Sequence, residues 1–212
     1  HIGVLELSTK ERQWVSRALD RTFATTAGAV APIWTSDGSL LAYAEDRGTA
    51  HVVRVDPSGK KAPEWLTSGR RIVKGVHAAG GTIGFVASAV DQMTEVYAIV
   101  GGSEKRLSNL GAHLVAETKP QTWEHFTVPT GSSYAGGPAE IDAWIMKPVG
   151  FDAKKKYPVL LNVHGGPHTQ YGETFFDEAQ MQAAAGFVVV MSNPRGSSGR
   201  EQAWGQAILG RQ

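Results

Sequence analysis

Cysteine is absent from the 212 residues, which excludes disulfides and thiolate-ligated zinc and fits a reducing compartment, so a cytoplasmic location is expected. Long apolar runs are missing too, and none approaches the ~20 residues that a membrane helix requires. An excess of one charge is lacking: 21 Lys and Arg stand against 20 Asp and Glu, and they are scattered, so nothing points to nucleic acid or an anionic membrane. The pair Arg70-Arg71 and the run Lys154-Lys-Lys156 are expected in solvated loops. A signal-peptide pattern is absent, and the chain opens on His1 rather than Met, so a native amino terminus is expected to lie outside it. The seven histidines show no His-x-x-x-His spacing; no metal and no cofactor is assigned.

What is present is a 42% apolar composition, ample for a core, organised around Tyr157-Pro-Val-Leu-Leu-Asn-Val-His-Gly-Gly-Pro-His168. Pro158 fixes the start. Val159, Leu160, Leu161 and Val163 then form a short branched apolar run, the composition of a strand buried on both faces inside a sheet. His164-Gly165-Gly166-Pro167 stops it. Two adjacent glycines allow a tight turn and leave peptide N–H groups uncovered by side chains, free to bind an oxyanion. In α/β-hydrolases a His-Gly-Gly-type loop after an early strand supplies one of the two donors that stabilise the tetrahedral intermediate of acyl transfer. By itself the motif leaves a strand-ending turn without chemistry open.

Downstream, Phe175, Phe176, Ala179 and Ala183 fall at near-helical spacing. Glu173, Asp177 and Glu178 sit early, where the helix dipole favours acids, and Gly186 is a C-terminal stop. Asp177 and Glu178 are expected to form a solvated face. Phe187-Val-Val-Val-Met191 is a second buried run. Strand, helix and strand over ~30 residues make a βαβ unit with a right-handed crossover. Asn193-Pro-Arg-Gly-Ser-Ser-Gly199 closes it at the carboxyl end of the sheet, where ligands of α/β proteins sit. There Arg195 is a candidate to bind a substrate carboxylate or to tie the loop to neighbouring carbonyls.

The first half has another rhythm. Val4-Leu-Glu-Leu7 and Arg12-Gln-Trp-Val15 suggest the closing hairpin of a small antiparallel sheet. Trp34-Thr-Ser-Asp-Gly38, Leu40–Tyr43, His51–Val55, Pro57-Ser-Gly59 and Glu64–Thr67 then recur more loosely as Gly80–Ile83, Gly84–Ala87, Glu95–Ile99, Gly101-Gly-Ser103 and Lys105–Ser108. The offset of roughly 43 residues is the period of a four-stranded propeller blade. Residues 1–108 are therefore expected to be the C-terminal blades of a β-propeller, with Trp34 and Trp65 in blade packing, and residues 109–212 the N-terminal part of an α/β-hydrolase domain. The fold class is mixed, all-β plus α/β; an independent small β-sandwich is the alternative for the first half. A blade cannot bury both faces alone, so the chain is expected to be a fragment that packs against the remaining segments of the same polypeptide. Between the two parts, Trp123–Val128 and Ile141–Met146 alternate as a β-hairpin.

No serine stands out as activated. Gly131-Ser-Ser-Tyr-Ala-Gly-Gly137 imitates a nucleophile elbow, but Pro138 and strand-like alternation follow it, and Ala135 stands where the second glycine is required. Ser133 therefore reads as turn chemistry, and Ser197 and Ser198 have the wrong glycine spacing. His164 is expected to support the loop, together with Pro167, rather than act as a base.

Three passages carry a resemblance: Trp144-Ile-Met-Lys-Pro148, Val159-Leu-Leu-Asn-Val-His-Gly-Gly-Pro167, and Ala185-Gly-Phe-Val-Val-Val-Met-Ser-Asn-Pro-Arg-Gly-Ser-Ser-Gly199. Together they resemble the prolyl oligopeptidase family of serine peptidases, most of all its acylaminoacyl peptidase branch, well over about residues 109 to 205 and more weakly over the blades. The resemblance implies a propeller that gates a hydrolase acting on short peptides, with the backbone N–H of Gly166, helped by Gly165, in the oxyanion hole. It implies no triad Ser, Asp or His in this chain, since all three would lie beyond Gln212. Arg200-Glu201 departs from the Tyr-Gly that relatives often carry. An esterase on the same fold and a non-catalytic propeller scaffold are the rival readings, and a homo-oligomer is left open.

Overall fold

The computed structural model describes residues 1–23, 31–130 and 140–209. At the amino end β1 (Gly3–Leu5) pairs antiparallel with β2 (Arg12–Trp14), the hairpin that the alternation predicts. Two antiparallel meanders follow. The first contains β3 (Ile33–Trp34), β4 (Leu40–Asp46), β5 (Thr49–Val55) and β6 (Glu64–Trp65). The second contains β7 (Ile72–Ala79), β8 (Thr82–Ala89), β9 (Gln92–Val100) and β10 (Ser103–Arg106). One parallel bridge, Ala50 to Ile72, joins them.

The turns explain the strand lengths. Gly80-Gly81 and Gly101-Gly102 all hold positive φ, as two-residue hairpins require of their central positions. Arg47-Gly48 does the same with φ of 45° and 85°. Strand β7 is absent from the sequence reading because its register shifts between Val73 and Gly75, which breaks the period-two signal. Strand β4 is buried on both faces. Leu40, Ala42 and Ala44 pack on Ile2, Val15 and Phe23, while Leu41 and Tyr43 pack on Val52, Val73 and Phe85.

The remainder contains α1 (Ala112–Thr118), β11 (Trp123–Pro129), β12 (Glu140–Met146), β13 (Val159–Asn162), α2 (Asp177–Ala184), β14 (Val188–Asn193) and α3 (Gln202–Gln206). The sheet order is β11-β12-β14-β13, with β13 parallel to β14 and the other pairs antiparallel. Helix α2 bridges the parallel pair and buries Ala179 and Ala183 against Trp123, Trp144, Met146, Val189 and Met191. Gly186, at φ 96°, ends it where expected. The predicted elbow imitation around Ser133 lies outside the described residues.

Four expectations are corrected. Strand β13 is not buried on both faces: it is an edge strand, and Val159 and Leu161 are each 61% exposed because nothing among the described residues covers that face. Glu173 lies ahead of α2 and is buried, committed to ring and guanidinium donors rather than to the helix dipole. Arg70 and Arg71 are not simply solvated. Arg70 donates to Trp123 O and pairs with Glu173, and Arg71 clasps Glu104 with two bonds of 2.6 Å while lying over Phe85 and Tyr97. Trp34 is exposed rather than packed, whereas Trp65 is partly buried against the first meander. No described helix is long and apolar enough to cross a membrane.

Candidate active site

The β4–β5 hairpin tip is driven into the second half of the chain. Arg47 N–H donates to Gly199 O at 2.7 Å, Gly48 N–H to Gln170 Oε1 at 2.8 Å, and Glu173 N–H to Gly48 O at 2.7 Å. A Cβ on Gly172 would sit 1.8 Å from Gly48 O, so only glycine permits this approach. Around the contact lie three buried acids. Asp142 shares a face of β12 with Trp144 and Met146, the inward one, and is 1% exposed. It accepts from Arg47, Arg200 and His125 Nε2. Burial alone would raise its pKa, but the Arg47 hydrogen bond and the charges of Arg200 and Arg47 outweigh burial and hold it below the ordinary carboxylate range.

Glu173 accepts from Trp144 Nε1 at 3.0 Å and from Arg70 at 3.2 Å. Glu45 differs. Burial pushes its carboxyl up to about 7, and among the described residues its Oε2 has no hydrogen-bond partner.

The turn after β13 carries the predicted oxyanion donors. Gly165 and Gly166 are exposed, and among the described residues neither N–H donates to any acceptor. Gly166 has φ 134°, and a Cβ there would meet His168 N and Thr169 Cγ2 at 3.1 Å. The turn is pinned at both ends to the loop after β14. His164 Nε2 lies 3.0 Å from Ser197 Oγ and its Nδ1 3.0 Å from Gly165 O. His168 Nδ1 lies 3.0 Å from Gly196 O, and Ser198 N–H donates to Thr169 O at 3.0 Å. Pro167 O accepts from Thr169 N–H at 2.8 Å. Tyr171, whose ring meets the His164 ring at 5.3 Å, is held by Asn193 through both its N–H and its carbonyl. Arg195 is half-buried in the same loop.

A cavity of about 1150 Å³ opens beside this loop. Ile2, Trp14 and Phe23 line one wall; His168, Ser197 and Glu201 line the other. Sequence reasoning found the two glycines and His164 but missed His168, Asp142 and Gln170 as structural partners. An acid on the inward side of an alternating strand was the one local signal available, since such a group demands a cation.

Comparison with known proteins fits this geometry. The prolyl oligopeptidase family model matches residues 173–212. An uncharacterized peptidase of Bacillus subtilis (strain 168), YuxL, is 32% identical over 184 residues, which cover 84% of this chain and 27% of that protein. A probable dipeptidyl-peptidase 5 of Emericella nidulans is 29% identical over 182 residues, covering 78% of this chain and 24% of that protein. The chain thus spans about a quarter of the length of these relatives. Among solved structures, Pyrococcus horikoshii acylaminoacyl peptidase superposes with TM-score 0.79 at 24% identity, over 95% of this chain and 30% of that one. A puromycin-hydrolyzing peptidase of Mycobacterium tuberculosis gives 0.67 at 17% identity, over 94% and 31%. A fold shared over nearly the whole chain, relatives alike over most of it and a family pattern on its last forty residues agree with one another, and the chain belongs to the prolyl oligopeptidase family.

Proposed function

We propose that this chain is part of a serine-type peptidase that hydrolyses short peptides by acyl transfer, and that it supplies the oxyanion loop while the Ser, Asp and His of the triad come from the remaining segments of the same polypeptide. In this reading residues 1–108 are the last blades of a propeller that gates access, and residues 109–212 open the α/β-hydrolase domain, which exposed β13 would continue. Relatives named as peptidases and the acylaminoacyl peptidase fold support it.

The observation that carries the proposal is the pair of uncommitted, exposed amides at Gly165 and Gly166. Preorganised N–H donors stabilise the charge that forms on the carbonyl oxygen as a serine attacks, at no reorganisation cost in the transition state. The cavity between the amino-terminal segments and the loop after β14 is lined by His168 and Ser197 but not by Gly165 or Gly166. Which peptide class is cleaved is decided by turnover of acyl-amino-acid, dipeptidyl and simple ester substrates side by side.

Gly166→Ala tests the loop. A methyl group at φ 134° is strained and crowds His168 N, so the donor is displaced, and kcat of the full-length protein should fall by about 10²- to 10³-fold with labelling by a fluorophosphonate retained. Normal turnover by this variant would remove Gly166 from the mechanism.

A further inference from the structure

Two residues before Arg47, where the β4–β5 hairpin seats on the second half of the chain, strand β4 buries an acid in the joint. Glu45 is 5% exposed, and among the described residues its Oε2 has no hydrogen-bond partner. Its backbone is fixed on both sides of the strand: its N–H donates to Thr22 O at 2.9 Å, and Ala50 of β5 lies opposite it. On the facing loop Ser198, next to the Gly199 carbonyl that holds Arg47, is also buried with its hydroxyl unsatisfied.

The charged groups around Glu45 are engaged elsewhere. On the segment that bridges to β4, Asp20 accepts from Gln202 N–H at 3.0 Å, and Arg21 is divided between Asp46 at 2.7 Å and Glu201 at 3.2 Å. Arg47 at the hairpin tip and Arg200 in the loop after β14 both close on Asp142 of β12, which His125 also meets. In the turn after β13, His168 Nδ1 lies 3.0 Å from Gly196 O. Among the described residues no cation pairs with Glu45, and a buried carboxylate without a counter-charge is costly. Two ways out exist: the group keeps its proton, or the joint opens and lets water reach it. Burial accordingly raises its pKa to about 7.

We propose that Glu45 is a protonation-controlled latch between the two halves of the chain: as a neutral acid it lets the β4–β5 hairpin tip seat on the loop after β14, and as a carboxylate it drives the tip off that seat. The joint also bounds the large cavity, which Arg21 and Thr22 line from one side and Ser198 and Glu201 from the other, so unseating the tip widens it. The latch stands apart from the oxyanion reading and needs no assignment of the reaction. Its sign is set by linkage: seating is fully favoured below the ordinary carboxyl value near 4.5 and weakens as pH rises through about 7.

Hydrogen exchange of the full-length protein, followed by mass spectrometry and corrected for intrinsic rates, tests this. The reporters are the N–H groups of Arg47, Gly48 and Glu173, whose bonds cross the joint. Their opening should rise about tenfold from pH 6 to pH 8, and at both pH values it should exceed that of the core amides of Phe85 and Tyr97 by at least about tenfold. Glu45→Gln, of the same shape but without a titrating proton, should abolish the rise and keep the joint closed at pH 8. Glu45→Met, which replaces the acid with an apolar chain, is read the same way should the amide variant not fold. His125 and His168 are present in parent and variants alike, so the difference between them isolates position 45. The same rise in parent and variants, or no rise in the parent, overturns the latch. Joint amides that exchange no faster than Phe85 and Tyr97 overturn it as well, because the tip then leaves its seat only when the whole fold opens.

Discussion

Arg200 closes on Asp142 with two nitrogens on one oxygen, Nε at 3.0 Å and Nη2 at 2.5 Å from Oδ2. Arg47 approaches the other oxygen from the β4–β5 hairpin at 2.6 Å, and His125 completes the set at 3.0 Å. Arg200 is itself buried. Asp142 is what makes a cation acceptable there, with the guanidinium also lying 4.7 Å over the Trp204 ring.

Asp142→Asn should therefore destabilise strongly. It leaves Arg200, 6% exposed, without its counter-charge, and removal of one member of a buried pair costs about 3 to 5 kcal/mol. Arg47→Ala should cost less, since that side chain is 44% exposed and keeps access to water. Thermal unfolding at fixed pH measures both. The sign with pH follows from the lowered native pKa: the stabilisation is complete above the unfolded value near ~3.9 and is lost as pH falls through the lower native one. In Asp142→Asn that acid-side loss should shrink.

Glu45 has the opposite dependence. Its native pKa of about 7 stands above the unfolded value, so the folded state holds the extra proton and stability falls as pH rises from about 4.5 to 7. Glu45→Gln should flatten that fall and stabilise the protein at pH 8 by on the order of 2 to 3 kcal/mol. Denaturant midpoints at pH 5 and pH 8 check it; equal parent stability at the two pH values would contradict burial of this group.

Gly172→Ala tests the docking of the hairpin tip. The new methyl would fall 1.8 Å from Gly48 O, where backbone rather than a flexible side chain must move. About 3 kcal/mol or more of destabilisation is expected, at the upper end of overpacking effects. Limited proteolysis should show earlier cleavage near Arg47 than in the parent.

Leu161→Lys distinguishes the exposed face of β13 from a covered one. In the 212-residue chain that side chain is 61% exposed, and the change should cost within about 0.5 kcal/mol and improve solubility. In the full-length protein, where further strands and a layer packed over this face of β13 are proposed, the same change should cost about 2 kcal/mol or more. Equal effects in both would count against that continuation.

Local pattern determined much by itself. The two-residue turns at Gly80-Gly81 and Gly101-Gly102, the stop at Gly186, the parallel pair around α2 and the glycine turn after β13 are all written in short windows, because backbone conformation and side-chain period are properties of neighbouring residues. Bulged β7 was illegible for the same reason, its period being broken at Val73 to Gly75. Only the tertiary structure decided where the charges go. Asp142 meets partners 58 and 95 residues away, Arg70 meets Glu173 at a separation of 103, and composition records that these side chains are polar without recording who satisfies them. Exposure of β13 was likewise undecidable from its apolar run, since an edge strand and a central one can have the same composition, and burial depends on what packs beside and over the strand.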